Sequence, residues 1–207
     1  MNRLVAFGCS NSYGHGLPDC FNSKTNGPGN SPSECAWPAL LGKSLGIPVI
    51  NASDCGVSNL EILNNILNFK FKKNDGVIIG WTYPERDMIF SKPQLLKKTH
   101  NIKIGSWIDE AMFRDWCKIH SEYDMIVRNW YNVHHASLYL RSLGIEQHNF
   151  FVDHLTMAKY KPKYIDVSVI DINFIKLCKT DTGLDGNHPG LNTHKLVADA
   201  IKIKICK

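Results

Sequence analysis

Short apolar runs alternate with longer amphipathic stretches along most of the chain. The runs are rich in β-branched and aromatic residues and have the length of buried strands, whereas the stretches repeat their apolar positions at helical spacing. The runs predicted as strands are 3–7, 48–52, 76–80 and 149–152. The stretches predicted as helices are 37–46, 58–71, 121–144 and 190–205. Strands that alternate with helices in this way are typical of a parallel sheet.

The ends of the predicted helices support these boundaries. Ser58 precedes Glu61 by three residues, which is a capping-box pattern, and glycines at 46 and 144 are typical helix terminators. The pattern predicts a three-layer α/β/α sandwich with a central parallel sheet and right-handed crossovers. In such a sheet the ligand crevice lies outside the carboxyl ends of the strands. At 207 residues the chain fits one domain over 1–207, with an insertion at about 83–120.

Charge and composition exclude several classes of partner. The net charge of +5 and the pI near 8.8 come from scattered lysines with small clusters at 70–74 and 202–207, without the aromatic-interleaved basic stripe typical of a nucleic-acid surface. No apolar run approaches the roughly 18 residues of a membrane span, and no leader pattern precedes the first strand. These features predict a soluble, cytoplasmic protein that binds neither membrane nor nucleic acid. A virion-associated phage or viral protein would have the same pattern, and nothing in it indicates an oligomeric state.

The cysteines point to reduced thiols. Their number is seven, which is odd, and none has CxxC spacing. This argues against both a zinc ribbon and a complete disulfide framework.

Candidate chemistry lies near the two ends of the chain. Ser10 follows the first predicted strand within the glycine-rich segment "FGCSNSYGHG" (7–16), and Asp185 stands three residues before His188 in a Gly/Pro-rich loop. A carboxylate at this spacing can orient an imidazole, whose other nitrogen then serves as a base for a serine hydroxyl. Taken alone, Ser10 is more simply explained as a turn residue, and helix capping is a fair alternative explanation for Asp185.

Four segments in order resemble the blocks of the SGNH (GDSL-type) hydrolase superfamily. They are "FGCSNSYG" (7–14), "VINASDCGVSN" (49–59), "GVIIGWTYPERD" (76–87) and "DGNHPG" (185–190). The resemblance implies a flavodoxin-like SGNH hydrolase fold and a catalytic triad of Ser10, His188 and Asp185. It also implies an oxyanion hole formed by the backbone N–H groups of Ser10 and Gly56 together with Thr82.

Two positions depart from the family pattern. Cys9 stands where the family has aspartate before the serine, and Thr82 stands where the third block has asparagine. The loss of an oxyanion donor typically costs about 10²- to 10³-fold in rate. Simpler alternatives remain for two oxyanion candidates: Gly56 as a turn glycine, and Thr82 as a strand-end residue.

Other residues are candidates for substrate contact. They are Asn11, His15, Trp81 and Asn59, although His15 is also explained as a loop histidine without a role. The irregular segments 17–35 and 83–120 are candidate pocket walls, because long loops in a compact domain are commonly functional. Within the second, Trp107, Phe113 and Trp116 form either a lid or a small core of the insertion.

The leading hypothesis is a serine esterase that hydrolyses an acyl or acetyl ester of a small-molecule or carbohydrate substrate. Its mechanism requires no metal and no organic cofactor. Two alternatives stay open: a non-catalytic ligand-binding module on a degenerate SGNH fold, and an acyltransferase that uses the same triad.

Overall fold

Four parallel strands form the centre of the fold. The computed structural model describes residues 1–89, 102–106 and 110–206. The strands in these ranges are β1 (Arg3–Gly8), β2 (Phe21–Asn22), β3 (Gly27–Pro28), β4 (Val49–Asn51), β5 (Asp75–Trp81), β6 (Asp87–Ile89), β7 (Ile102–Ile104) and β8 (Glu146–Phe151). The helices are α1 (Ser10–Tyr13), α2 (Trp37–Leu45), α3 (Asn59–Asn68), α4 (Glu110–Ile119), α5 (Glu122–Ser142), α6 (His154–Ala158), α7 (Phe174–Leu177) and α8 (Leu191–Ile205).

The central sheet has the order β4-β1-β5-β8, and all of its pairs are parallel. In β1, Leu4 is opposite Val49 on one side and Gly76 on the other. Nearly every residue of β1 and β5 is buried, as expected of parallel strands that are covered on both faces. The predicted α/β fold with a central parallel sheet is confirmed.

Neighbouring residues of β8 show that helices cover both faces of the sheet. The Phe150 ring lies 5.4 Å from the Trp37 ring of α2, and the Phe151 ring lies 5.0 Å from the Trp130 ring of α5. Successive side chains of a strand point to opposite faces. One outer layer therefore contains α2, which packs against α8, and the other contains α5, which packs against α3.

The predicted elements correspond to observed ones, with boundaries that differ by up to three residues. The largest differences are at 149–152, where β8 begins three residues earlier, and at 58–71, where α3 ends three residues earlier, at Asn68. Ser58 caps α3 as predicted, since its side chain accepts a hydrogen bond from the Glu61 N–H.

The predicted insertion contributes the antiparallel pair β6–β7 and the helix α4. Phe113 and Trp116 lie on α4 and are half-buried, and Trp116 stacks on His120 at 3.8 Å. Trp107 lies outside the described residues. None of the helices in the described ranges combines the length and the apolar character that a membrane span needs.

Candidate active site

Ser10 lies at the carboxyl end of the central strand β1. It is the first residue of the short helix α1, whose turn is closed by hydrogen bonds from the Ser12 and Tyr13 N–H groups to the Cys9 carbonyl. The Ser10 residue is 5% exposed. The strand end thus presents one hydroxyl at the sheet edge where ligands bind in this class of fold.

The loop from Asp181 to Gly190 is closed at its base. Thr182 and Pro189 form an antiparallel bridge. Asp181 accepts hydrogen bonds from the Thr193 N–H at 2.8 Å and the Thr193 hydroxyl at 2.7 Å, which ties the loop to the first turn of α8. These bonds lower the pKa of Asp181 although burial acts in the opposite direction. The base of the loop is therefore held at two points.

Asp185, His188 and Ser10 form a continuous chain of hydrogen bonds. Nδ1 of His188 lies 2.5 Å from Asp185 Oδ2, and Nε2 lies 2.9 Å from Ser10 Oγ. Burial acts to raise the pKa of Asp185, but hydrogen bonds from the His188 backbone and side chain and from the Asn187 N–H lower it below its ordinary value. A charged Asp185 favours the tautomer with hydrogen on Nδ1, which leaves Nε2 free to accept the seryl proton.

His15 lies against both His188 and Asp185. Its ring stacks on that of His188 with centroids 4.2 Å apart, and its Nε2 lies 3.8 Å from Asp185 Oδ2. Gly16 brings the two loops together: its φ is +89°, a Cβ there would come within 2.7 Å of Asp185 Oδ1, and its carbonyl accepts the Leu184 N–H. Burial, and secondly His188, lower the pKa of His15. His15 therefore favours the neutral form beside the triad.

Within the described residues, His15, Asp185 and His188 are close enough together to share a metal ion. Both ring nitrogens of His188 already take part in hydrogen bonds, to Asp185 and to Ser10. A metal ion on either nitrogen would displace one of them. Metal binding and the hydrogen-bonded triad are therefore alternative uses of the same atoms.

Ser10 and His188 open into a cavity of about 600 Å³. Its walls come from both ends of the chain, from the loop after β4, from the segment after β5 and from the β6–β7 region. The lining residues are Ser10, Asn11, His15, Cys55, Gly56, Tyr83, Arg86, Lys103, Ser106, Asn187 and His188. A second cleft, of about 780 Å³, is bounded by residues 31–34 and by parts of α2 and β4, and no histidine is among its described lining residues. We take the smaller cavity as the candidate active site because it holds the serine and its base.

Several solved structures are similar to the chain over nearly all of its length. A protein from Desulfitobacterium hafniense, assigned to the lipolytic G-D-S-L family, has a TM-score of 0.52 at 15% identity, over 98% of this chain and 99% of that one. The esterase EstA from Pseudoalteromonas sp., inhibited by monoethylphosphonate, has a TM-score of 0.54 at 12% identity, over 100% and 97%. A carbohydrate esterase, whose active site displays divergent catalytic and non-catalytic binding functions, has a TM-score of 0.57 at 12% identity, over 99% and 64%. No family model and no curated protein matches the sequence. The chain has the SGNH hydrolase fold.

The third SGNH block differs from the expectation at Thr82. Thr82 is fully buried and is not among the residues that line the cavity. Its Oγ1 accepts a hydrogen bond from Arg86 Nη1 at 3.0 Å. The Thr82 hydroxyl therefore lies outside the described cavity lining and holds Arg86, and its oxyanion contact stays a prediction. Gly56, in contrast, lines the cavity with a φ of +69°, a left-handed conformation that favours glycine.

The structure separates the four predicted substrate contacts into two pairs. Asn11 and His15 line the cavity. The prediction is wrong for Trp81 and Asn59, which are both fully buried. Trp81 Nε1 donates to Asn149 at 3.0 Å inside the sheet, so the indole belongs to the core. The Asn59 side chain accepts from the Thr82 N–H at 2.7 Å and donates to the Thr82 carbonyl at 3.1 Å, and thus supports the third block from beneath.

The two predicted pocket walls also differ. No residue of 17–35 lines this cavity, so that segment is not its wall. The predicted insertion contributes Tyr83, Arg86, Lys103 and Ser106, whereas Phe113 and Trp116 do not line the cavity. Arg86 lies over the Tyr83 ring at 4.9 Å. The sequence analysis did not predict these polar residues. The one feature that could have indicated Arg86 is its position near the end of the third block, three residues after Tyr83.

Proposed function

We propose that the protein is a serine hydrolase that cleaves a carboxylic ester through Ser10, His188 and Asp185. The hydrogen bond of 2.9 Å between Ser10 Oγ and His188 Nε2 carries the proposal, because a serine hydroxyl needs a base at this distance to become a nucleophile. The SGNH fold and the esterases that share it support the same conclusion.

In the first half of the reaction, His188 takes the proton of Ser10 while Oγ attacks the ester carbonyl carbon. Asp185 stabilises the imidazolium that forms. The backbone N–H groups of Ser10 and Gly56 hold the tetrahedral oxyanion. The intermediate then expels the alcohol, which takes the proton from His188, and the acyl group stays on Ser10.

In the second half, His188 removes a proton from a water molecule as that water attacks the acyl carbon. Ser10 leaves with the proton returned by His188, and the carboxylic acid is released. Every proton transfer passes through one imidazole nitrogen, Nε2, while Asp185 holds the other.

The cavity favours a short acyl group on a polar alcohol. Apart from the two imidazoles, its described lining contains one aromatic ring, that of Tyr83, and no leucine, isoleucine, valine or phenylalanine. A long acyl chain would need apolar walls to leave water. We therefore propose an acetyl or similarly short ester of a small-molecule or carbohydrate substrate.

Two assays test the proposal together. The purified protein should hydrolyse p-nitrophenyl acetate, and an alkyl phosphonate probe should label Ser10, as located by peptide mass spectrometry. Ser10→Ala and His188→Ala should lower kcat by at least about 10³-fold. Ser23→Ala, which alters an exposed loop serine, should retain wild-type rates. A folded wild-type protein that neither turns over the ester nor reacts with the phosphonate contradicts the proposal.

Because Thr82 does not line the cavity, a second candidate function is also favoured. It is a binding module that holds an ester-like ligand without efficient turnover. In that case the wild type and Ser10→Ala would bind ligand equally and neither would release product. Phosphonate labelling separates the two candidates, since it requires an activated serine.

A further inference from the structure

The lining of the cavity that holds Ser10 and His188 carries positive charge. Arg86 and Lys103 both line the cavity, and none of its described lining residues is aspartate or glutamate. Ser106, Asn11 and Asn187 add neutral polar groups to the same lining. Burial raises the pKa of the Tyr83 hydroxyl to about 12, so this group stays protonated and can donate. The cavity is therefore rich in hydrogen-bond donors.

Arg86 is held in a fixed place in this wall. One guanidinium nitrogen donates to the buried Thr82 hydroxyl, and the guanidinium carbon lies 4.9 Å from the Tyr83 ring centre. Thr82 is in turn fixed by two hydrogen bonds with the Asn59 side chain. A guanidinium supported in this way binds an anion at a small cost in side-chain entropy.

Lys103 reaches the same cavity from β7. Its Nζ donates to the Cys55 carbonyl at 3.0 Å, next to the Gly56 position proposed for the oxyanion hole. Glu61 lies 3.9 Å away from that nitrogen.

Among the described residues, several carboxyl groups lie near the charged or hydrogen-bonding groups of the cavity. Asp185 is bonded to His188, Glu61 is beside Lys103, and Glu85 interacts with Arg86. Burial raises the pKa values of Glu61 and Glu85, whereas Lys103 and Arg86, respectively, act to lower them.

We infer that the substrate is an ester that carries an anionic group, which Arg86 and Lys103 bind while Ser10 attacks the acyl carbon. The inference rests on the proposed function and specifies its substrate class. A carboxylate or a phosphate on the alcohol portion suits these two donors, because both accept hydrogen bonds from a guanidinium and from an ammonium. Neutral aryl acetates lack this anionic contact and should be hydrolysed more slowly than matched anionic esters.

Matched acetyl esters test the inference. The pair is 4-acetoxybenzoate and its neutral methyl ester, each corrected for its rate of hydrolysis by hydroxide, with 4-acetoxyphenyl phosphate as a second anionic probe. We expect kcat/KM to favour the anionic esters by about tenfold or more, with the preference weakening as salt is added. The larger of the two anionic preferences identifies carboxylate or phosphate as the group recognised.

Charge-removing variants then locate the effect. Arg86→Met and Lys103→Met should each reduce the anionic preference severalfold to about tenfold. Lys118→Met, at an exposed lysine of α4, removes the same charge outside the cavity and should leave the preference intact. If kcat/KM fell equally for anionic and neutral esters in Arg86→Met and Lys103→Met, these residues would not distinguish charged from neutral substrates. That result would overturn the inference.

Binding without turnover separates this inference from the proposed function. Dissociation constants of the intact esters are measured by calorimetry on Ser10→Ala. A preference for the anionic ester with no turnover by the wild type supports the substrate class and contradicts the esterase. Turnover with equal affinities and equal rates supports the esterase and overturns the inference. Neither binding nor turnover contradicts both.

Discussion

The cavity has two unlike sides. The triad side, formed by Ser10, Asp185 and His188, is joined by hydrogen bonds from carboxylate to imidazole to hydroxyl. The basic side is formed by Arg86 and Lys103, two cationic side chains that are held by different neighbours, Thr82 and Cys55. The triad side keeps the arrangement that its motifs predict, whereas the basic side includes the block in which threonine replaces asparagine.

The difference reflects how each kind of chemistry depends on distance. Proton transfer needs donor and acceptor within hydrogen-bond reach, so a displacement of about 1 Å disrupts it. Attraction between charges falls off slowly with distance and tolerates many positions. The positions of charged groups in a cavity wall are therefore less tightly constrained than those of a hydroxyl and the imidazole that must share a proton.

Asp185→Asn separates the two sides most strongly. The amide can no longer favour hydrogen on Nδ1 of His188, and we expect kcat for both anionic and neutral esters to fall by about 10²- to 10⁴-fold. The anionic preference should persist, because Arg86 and Lys103 are untouched. Asp171→Asn, at an exposed carboxylate, is the control and should have wild-type kinetics. A loss confined to the anionic ester would show that the two sides do not act separately.

His194, a buried residue of α8, makes the stability of the folded protein depend on pH. Nδ1 of His194 accepts the Trp37 N–H at 3.0 Å, which ties α8 to α2, and burial lowers the pKa of His194 to about 4. The unfolded chain binds this proton near its ordinary pKa of about 6.5, so the folded state is fully favoured above that pH and loses stability as the pH falls towards 4. At about 1.4 kcal/mol per pKa unit the loss is about 3 kcal/mol.

Urea unfolding between pH 8 and pH 4.5 measures this effect. His194→Asn keeps an acceptor for the Trp37 N–H and should remove most of the pH dependence, while exposed His135→Asn should retain it. The lowered pKa of His15 contributes in the same direction, whereas the raised pKa values of Glu61 and Glu85 contribute in the opposite direction. An unchanged slope in His194→Asn would contradict the assignment.

The triad side can be predicted from the sequence because the order of strands and loops largely determines where its three residues lie. Ser10 follows a strand, and parallel strands bring their carboxyl ends to one edge of the sheet. Asp185 and His188 share one short loop before the last helix, so the position of this loop alone brings both residues to that edge. The carboxylate, imidazole and hydroxyl types then suffice to define their order.

The basic side was not predictable in the same way. Lys103 reaches the cavity through the pairing of Asp87–Ile89 with Ile102–Ile104, and no motif marks this contact between segments. Trp81 is predicted to contact substrate, whereas β5 buries it and Asn149 accepts its indole N–H. The composition of residues 17–35 indicates a loop correctly but carries no information about the edge of the sheet on which the loop lies.

Thr82→Val sharpens the comparison with the smallest expected effect. Valine keeps the shape of the buried side chain but removes the oxygen that accepts the Arg86 N–H. We expect kcat/KM for 4-acetoxybenzoate to fall about threefold as Arg86 loses its anchor, and kcat for the methyl ester to stay within about twofold of wild type. Thr180→Val, at an exposed threonine, should change neither. If Thr82 instead donated to the oxyanion, both esters would lose about 10²- to 10³-fold in kcat, and the third block would belong to the triad side.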